Sequence, residues 1–273
     1  MNPNILTKYA NFNVPFMDRS KHLEVGIKDL GEVAYILGIK IIRDRSKRLI
    51  ALSQSVYLEK ILKKFRMENS KKRKSQGAKT PTEVQRMLRV PYASAIDMVL
   101  VYGAKPEDEL KVSCYADASF QTDKDDTKSQ TGYAFVLNGG AVDWKSAKQN
   151  TTAMSSTEAE YIVTAEASME AVWVRKFING LGGVMPLNKR PMEMLCDNEP
   201  ALDIAGDPRI LKGARHFQRK YHYIREVIQR GEIVLKKVHT DDNAVDPFTK
   251  PMPFNKDFEH AIGIGIVHDS SLM

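Results

Sequence analysis

The stretch Cys114-Tyr115-Ala116-Asp117-Ala118-Ser119 carries one carboxylate in an otherwise apolar strand pattern. Val112, Cys114 and Ala116 alternate with more polar neighbours, which predicts a half-buried β-strand. Three later segments supply carboxylates where a regular element starts or stops: residues 156–161, 195–198 and 244–247. Acids that meet from separate elements repel one another and are stable mainly with divalent cations between them. The sequence therefore predicts a metal centre built around this strand.

Composition limits the class of protein. The 273 residues are 42% hydrophobic and 27% charged, which excludes a disordered polymer, and the net charge of +7 weakly favours a polyanionic partner. The two cysteines, Cys114 and Cys196, lie in apolar runs and are interpreted as buried thiols in a reducing compartment. No signal-peptide pattern or membrane-spanning apolar run is present. We expect an intracellular protein of the cytoplasm or nucleus, neither secreted nor membrane-embedded.

Hydrophobic periodicity after residue 111 predicts alternating strands and helices. The predicted strands are 112–120, 131–137, 141–145, 192–196 and 232–239, and the predicted helices are 157–178, 199–205 and 214–230, with a final turn or helix at 246–249. The first three strands follow one another through short turns, so they form an antiparallel meander. This order predicts an α/β fold, a five-stranded mixed sheet with helices on its faces.

The earlier part of the chain reads differently. A strand at 30–43, a polar turn and a return strand at 49–53 predict a hairpin, and a helix with a basic outer face follows from residue 54. A charged linker is predicted at 103–111. We divide the chain into a first region (1–99), a second domain (100–254) and a poorly patterned tail (255–273).

The first region carries several motifs, namely Lys28-Asp29-Leu30-Gly31, Leu37-Gly38-Ile39, Leu52-Ser53-Gln54 with Tyr57, and Pro91-Tyr92-Ala93-Ser94-Ala95-Ile96. Together they resemble the reverse transcriptase of copia-type LTR retrotransposons just after its catalytic strand. The paired-Asp motif of that family is absent, and the long connecting segment that follows Ile96 in the family is missing. The resemblance implies a truncated α+β reverse transcriptase fragment, and no polymerase activity is expected.

Motifs in the second domain are more numerous and occur in order: Tyr115-Ala116-Asp117-Ala118, Ser129-Gln130-Thr131-Gly132-Tyr133, Trp144-Lys145-Ser146, Ser155-Ser156-Thr157-Glu158-Ala159-Glu160-Tyr161, Cys196-Asp197-Asn198, Tyr221-His222-Tyr223-Ile224-Arg225-Glu226 and Asp246-Pro247-Phe248-Thr249-Lys250. Together they are similar to the ribonuclease H domain of copia-type retrotransposon polyproteins. The resemblance implies a ribonuclease H-like fold and an endoribonuclease that cleaves the RNA strand of RNA–DNA hybrids. Its cofactors would be two Mg²⁺ or Mn²⁺ ions.

The resemblance assigns the catalytic, metal-ligating role to Asp117, Glu160, Asp197 and Asp246, with Asp117 bridging both ions. Each acid also has a structural interpretation. The alternative for Asp117 is a polar residue that ends a strand. Asp197 and Asp246 stand at helix N-cap positions, Asp246 before a proline.

Glu160 has two such alternatives. It stands at capping-box spacing from Thr157, and Glu158, with Ser155 as its cap, competes for the metal role. Residues two apart point about 200° apart on a helix, so both glutamates should not face one ion. The family pattern falls on Ala159-Glu160-Tyr161 and favours Glu160.

Contacts to the nucleic-acid backbone are expected from seven residues: Ser119, Lys145, Lys148, Asn198, Arg215, Arg219 and His222. The alternative for the basic helix is a plain solvated face. His239, near the end of the last strand, is interpreted as a surface residue rather than a catalytic one. The alternative function is a catalytically silent nucleic-acid-binding remnant, favoured by the missing segment after Ile96 and by the unusual Ile210-Leu211-Lys212-Gly213.

Overall fold

The computed structural model describes residues 34–36, 39–64, 97–103, 111–122, 125–180, 190–206 and 218–272, with the backbone alone at residues 62, 218–221, 254 and 255. Several sequence predictions fall outside these residues: the strand start at 30–33, the motif at 91–96, the linker at 104–110, the segment 210–213 and Arg215.

The first strands and helix are β1 (Tyr35–Ile36), β2 (Ile39–Asp44), β3 (Leu49–Ser53), α1 (Ser55–Lys64) and β4 (Met98–Gly103). They are followed by β5 (Val112–Ser119), β6 (Gln130–Leu137), β7 (Gly140–Lys148), α2 (Ser156–Gly180), β8 (Met192–Cys196), α3 (Glu199–Gly206), α4 (Gln218–Gln229) and β9 (Ile233–Lys237). The last elements are a 3₁₀ turn (Thr240–Asp242), α5 (Asp246–Thr249), α6 (Phe254–Gly263), β10 (Ile266–His268) and a second 3₁₀ turn (Asp269–Leu272).

The strands β5 to β9 form a mixed sheet, which we call the second sheet, in the order β7-β6-β5-β8-β9. The β5–β6 and β6–β7 pairs are antiparallel, whereas β5–β8 and β8–β9 are parallel. Because β5 and β8 run in the same direction, their carboxyl ends lie at the same edge of the sheet. The predicted α/β class with a five-stranded mixed sheet and helices is confirmed.

The remaining strands form an antiparallel sheet, the first sheet, in the order β1-β2-β3-β4-β10. The single strand predicted for residues 30–43 is wrong, because β1 turns back and pairs with β2 through the Ile36–Ile39 register. The backbone N–H of Ile41 donates to the Ala34 carbonyl oxygen at 2.8 Å, which closes this tight pair. The hairpin of β2 and β3 and the helix after it occur where the sequence predicted them.

The segment after residue 254, patterned too weakly to predict, is ordered into α6 and β10. The β10 strand pairs with β4 through Ile266–Leu100 and completes the first sheet. Leu100 and Ile266 are buried together with Phe248 of α5 and Val136 of β6. The C-terminal segment therefore packs between the two sheets.

The two sheets come into close contact at Gly140. A Cβ atom at this position would lie 2.5 Å from the Tyr102 ring and 2.6 Å from the Val101 carbonyl oxygen of β4. The Tyr102 hydroxyl donates to the Ala141 carbonyl oxygen at 2.7 Å. Only glycine permits this contact, which fixes β7 against β4.

The helix α2 covers one face of the second sheet. Val163, Ala167 and Ala171 recur along one side of the helix and are fully buried against Cys114 and Phe135. Both cysteines are free and buried, as predicted. Despite the 25 residues of α2, no helix in the described part of the chain is both long and apolar enough to cross a bilayer.

Candidate active site

Asp117 lies near the carboxyl end of β5, the central strand of the second sheet, and is only 3% exposed. Its Oδ2 accepts a hydrogen bond from the Thr249 hydroxyl. Burial raises the pKa of Asp117 from 3.8 to about 6; the Thr249 hydrogen bond and Lys250 oppose this rise, and Asp246 and Asp197 add to it. This acid is therefore held in a buried position with other carboxylates nearby.

The competition between the two glutamates at the start of α2 is resolved by their contacts. The Glu158 backbone N–H donates to Ser155 Oγ at 3.1 Å, and Glu158 Oε2 accepts from the Met154 backbone N–H at 3.0 Å. This reciprocal pair is of the capping-box type, so Glu158 closes the helix N-terminus. Glu160, which the spacing from Thr157 offered as a cap, points the other way and is buried.

Glu160 reaches from α2 to the end of β5. Its Oε1 accepts from the Ala118 backbone N–H at 3.0 Å, and its Oε2 lies 3.7 Å from Cys196 Sγ, which donates to it. Burial, and then the charge of Asp117, raise the pKa of Glu160 well above its usual value. The side chain is thus fixed between β5 and β8.

Asp197 follows β8 directly and is half-buried. The neighbouring Asn198, and not Asp197, caps the next helix, because Asn198 Oδ1 accepts from the Ala201 backbone N–H at 3.0 Å at the start of α3. Since β5 and β8 are parallel, Asp197 emerges at the same edge as Asp117. Asn198, predicted to contact nucleic acid, uses its side-chain amide oxygen for this cap.

Asp246 is the first residue of α5 and is 2% exposed. Its Oδ2 lies 2.7 Å from Lys250 Nζ, one turn later. Burial raises the pKa of Asp246, and the hydrogen bond and charge of Lys250 oppose that rise. Asp246, between the N-cap residue Val245 and Pro247, is therefore a paired acid rather than a helix cap.

Three contacts hold α5 against the second sheet. Ser146 Oγ donates to the Phe248 carbonyl oxygen at 2.6 Å, and Asn243 Nδ2 donates to the Ala116 carbonyl oxygen at 3.1 Å. Gly132 allows the close approach, because a Cβ there would lie 2.7 Å from Thr249 Cγ2. The sequence around Asp246 is thereby locked to the strand that carries Asp117.

The four predicted acids come together in two overlapping groups. Ligand atoms of Asp117, Asp197 and Asp246 lie within 4.8 Å of one another, and so do those of Glu160, Cys196 and Asp197. Asp197 belongs to both groups and joins them. The acids converge from β5, α2, the end of β8 and α5, as the sequence predicted.

The donor set suits a hard divalent cation. Carboxylate oxygens dominate it, and these are the ligands that Mg²⁺ and Mn²⁺ prefer. Among the described side chains, Asp246 Oδ1 is buried without a hydrogen-bond partner, so one ligand-type oxygen in the cluster is unsatisfied. The residues present therefore fit a divalent cation.

The residues predicted to contact nucleic acid occupy several positions. Ser119 ends β5 beside the acids. Lys145 Nζ is 2.9 Å from Glu166 and 6.0 Å from the centre of the Tyr133 ring, and Lys148 Nζ is 3.0 Å from Asp126. His222 is exposed on α4. The side chain of Arg219 and the whole of Arg215 lie outside the described residues.

His239 is exposed and starts the 3₁₀ turn, where its Nδ1 accepts from the Asp241 backbone N–H at 3.3 Å. This contact agrees with the surface interpretation. The sequence reasoning did not single out Thr249 or Lys250. The spacing of Asp246 and Lys250, four apart in a short helix, was the signal for the second of these contacts.

Comparison with known proteins agrees with the motifs. The retrovirus-related Pol polyprotein from transposon TNT 1-94 of Nicotiana tabacum is 30% identical over 294 aligned residues, covering 88% of this chain and 22% of the polyprotein. The chain is a homologue of retrovirus-related Pol polyproteins. The Pol polyprotein from transposon RE1 of Arabidopsis thaliana is 34% identical over 148 residues, covering 54% of this chain and 10% of its own length.

The Pol homologue spans only about a fifth of the tobacco polyprotein. A ribonuclease H1 isolated from compost is a structural neighbour at 18% identity and a TM-score of 0.37, covering 51% of this chain and 92% of that protein. No family model matches the chain. The tobacco and Arabidopsis Pol polyproteins support the predicted copia-type resemblance of the sequence.

Proposed function

We propose that this Pol homologue hydrolyses the RNA strand of RNA–DNA hybrids as an endoribonuclease that depends on divalent cations. The observation that carries the proposal is the convergence of Asp117, Asp197 and Asp246 within 4.8 Å, which Glu160 joins through Asp197. The four acids come from four different elements, and Asp246 Oδ1 is buried without a hydrogen-bond partner among the described residues. Their order along the chain is also that of the ribonuclease H motifs.

In this proposal Asp117, Glu160, Asp197 and Asp246 would hold two Mg²⁺ or Mn²⁺ ions. Bound divalent cations would supply a water of lowered pKa and would offset charge on the leaving oxygen. Oxygen ligands favour these hard cations over zinc.

The protein's own contribution is to hold the acids in place before substrate arrives. The Thr249 hydroxyl fixes Asp117, and the Ala118 backbone N–H fixes Glu160. Contacts of Ser146 and Asn243 tie α5, and so Asp246, to the second sheet. Such preorganisation lowers the cost of reaching the reactive geometry.

The hybrid would lie across the edge that carries the acids, next to Ser119 and Asn198. Lys145, Lys148 and the basic helix with Arg215, Arg219 and His222 would contact phosphates and sugars, which are read by shape and not by sequence. Lys148 is in an exposed ion pair with Asp126, which is weak enough to exchange for a phosphate contact, and Lys145 is in a partly buried one with Glu166. Binding should therefore weaken as salt rises.

The test is cleavage of a labelled RNA–DNA hybrid by the purified chain, with Mg²⁺ and with a chelator. Loss of the RNA strand alone, only with the cation, is the expected result. No cleavage by a folded chain that still binds the hybrid would overturn the enzyme proposal and leave the silent binding remnant. The intracellular location stays a prediction.

A further inference from the structure

Lys250 places a positive charge inside the acidic cluster. It follows α5 directly, and its Nζ lies 2.7 Å from Asp246 Oδ2. The Asp246 side chain is 3% exposed, whereas that of Lys250 is 35% exposed. One end of this ion pair is therefore buried and fixed, and the other is a long side chain with access to water.

The charge of Lys250 extends beyond its hydrogen-bonded partner. It opposes the burial-driven rise in the pKa of Asp117 as well as that of Asp246. Burial disfavours the Lys250 ammonium, but the hydrogen bond to Asp246, followed by the charges of Asp117, Asp246 and Asp197, raises its pKa above the usual value. Lys250 thus interacts with the three acids of one ligand group.

A divalent cation and an ammonium group compete for such oxygens. Asp246 Oδ2 is a ligand-type oxygen that Lys250 already contacts, while Asp246 Oδ1 is buried without a partner. Two positive charges held at one carboxylate repel each other strongly at low dielectric. The binding of one must weaken the binding of the other.

We propose that Lys250 is an internal counter-ion, which neutralises the acids while no divalent cation is bound and swings toward solvent when one binds. The half-exposed side chain allows this movement without a change in the backbone. The inference rests on the proposed function, because the cation that displaces Lys250 is the one proposed there. Lys250 is a positioning residue that sets how tightly the site binds its ions.

The test compares the parent chain with Lys250→Met, which keeps most of the volume and removes the charge. Mn²⁺ affinity is measured by calorimetry, and the melting temperature is measured in a chelator and in saturating Mn²⁺. We expect Lys250→Met to bind Mn²⁺ at least about tenfold more tightly. It should melt lower than the parent in chelator and recover much of the difference with Mn²⁺.

Two further variants serve as controls. Lys256→Met removes the exposed ion pair between Lys256 of α6 and Asp241, and it should change the Mn²⁺ affinity far less than Lys250→Met does, because Lys256 affects Asp246 only through its charge. Lys250→Arg keeps the charge and should restore the parent's affinity. Should Lys250→Met fail to fold, NMR of ¹⁵N-labelled lysines in the parent gives the same answer, since the Lys250 ammonium signal should shift when Mg²⁺ is added.

The outcomes separate the two proposals. Binding of Mn²⁺ by the parent, with equal or weaker binding by Lys250→Met, would overturn the role of Lys250 and leave the metal site intact. Equal destabilisation with and without Mn²⁺ would mark Lys250 as a structural ion pair and also overturn its role. No binding of divalent cations by either protein would overturn the proposed function itself.

Discussion

The first and second sheets each have five strands, but only the second brings acids together in the described part of the chain. The first sheet is antiparallel throughout, so neighbouring strands end at opposite edges. In the second sheet β5 and β8 are parallel, so Asp117 and Asp197 emerge side by side. The difference lies in α2, which connects β7 to β8 and returns the chain so that β8 runs parallel to β5. The same helix carries Glu160.

Strand direction, more than composition, determines where the candidate site forms. Both sheets contribute buried apolar residues to the cluster around Leu100 and Phe248. A carboxylate at the end of an antiparallel strand meets a turn, whereas one at the end of a parallel strand meets the end of its neighbour.

The largest expected effect is on the acid at the centre of the second sheet. Asp117→Asn should lower hybrid cleavage by about a thousandfold or more, because it removes the charge of a proposed metal ligand. Hybrid binding should change little, and the melting temperature in chelator should not fall, since the amide fills the same volume and removes a charge that burial disfavours. Cleavage assays and thermal melts measure these effects.

The matched control for Asp117→Asn is Asp203→Asn, an exposed acid on α3 that should cleave like the parent. Full activity of Asp117→Asn would show that the acid cluster is not the active site.

A glycine pair tests how closely α5 must approach the second sheet. Gly132→Ala places a Cβ 2.7 Å from Thr249 Cγ2 and 3.0 Å from Phe248 Cβ. We expect a loss of about 1–3 kcal/mol in the free energy of unfolding and a clear loss of cleavage, because α5 and Asp246 must shift. Denaturant unfolding measures the first and hybrid cleavage the second.

Gly103→Ala, in the first sheet, is the control for this change, because no atom of the described residues lies within 4 Å of its added Cβ. It should alter stability by less than about 0.5 kcal/mol. Similar losses in both variants would contradict the packing argument.

The pH dependence of stability should separate the two regions. Burial raises the pKa of Asp117, in the second sheet, to about 6, and it does the same for Asp257 in α6. The folded protein then binds more protons than the unfolded chain between about pH 4 and pH 6. The free energy of unfolding in chelator should therefore fall as pH rises through this window, by up to about 2 kcal/mol for each carboxyl group.

Unfolding of Asp117→Asn and Asp257→Asn across this window checks the assignment. In chelator each substitution should flatten the dependence. In saturating Mg²⁺ only Asp257→Asn should do so, because bound cations keep Asp117 ionised. Equal pH dependence of the parent and both variants in chelator would contradict the raised pKa values.

The smallest effect concerns the hydroxyl that contacts Asp117. Thr249→Val should lower stability by about 1 kcal/mol through the lost hydrogen bond and should reduce cleavage severalfold. Thr131→Val on β6 is the control, because the Thr131 hydroxyl is buried without a hydrogen-bond partner in the described structure. Thr131→Val should be neutral or stabilising. Denaturant unfolding and hybrid cleavage measure both variants. Losses of stability and cleavage in Thr131→Val equal to those in Thr249→Val would exclude a specific role for Thr249.

Local pattern predicted most of the second sheet. Alternation marked β5 and β8 almost to the residue, and the acids stood out because they interrupt apolar runs. The choice between Glu158 and Glu160 needed the structure, since the Ser155–Glu158 and Thr157–Glu160 spacings fit a cap equally well. The contact of Glu158 with Ser155 and that of Glu160 with Ala118 distinguish them.

What local pattern could not predict was contact between distant segments. β10 has three residues and owes its strand geometry to β4, so its own sequence shows little alternation. Lys250 was read as part of a motif, because its charge matters only once Asp246 and Asp117 have been brought together.

The pairing of β10 with β4 also has a consequence for biosynthesis. All strands of the second sheet precede residue 238 in the chain, whereas the first sheet needs residues 266–268 as its last strand. A ribosome releases the chain from its N-terminal end, so β4 must wait with an open edge while the entire second sheet is being made. The first sheet therefore begins to be translated before the second sheet but finishes folding after it.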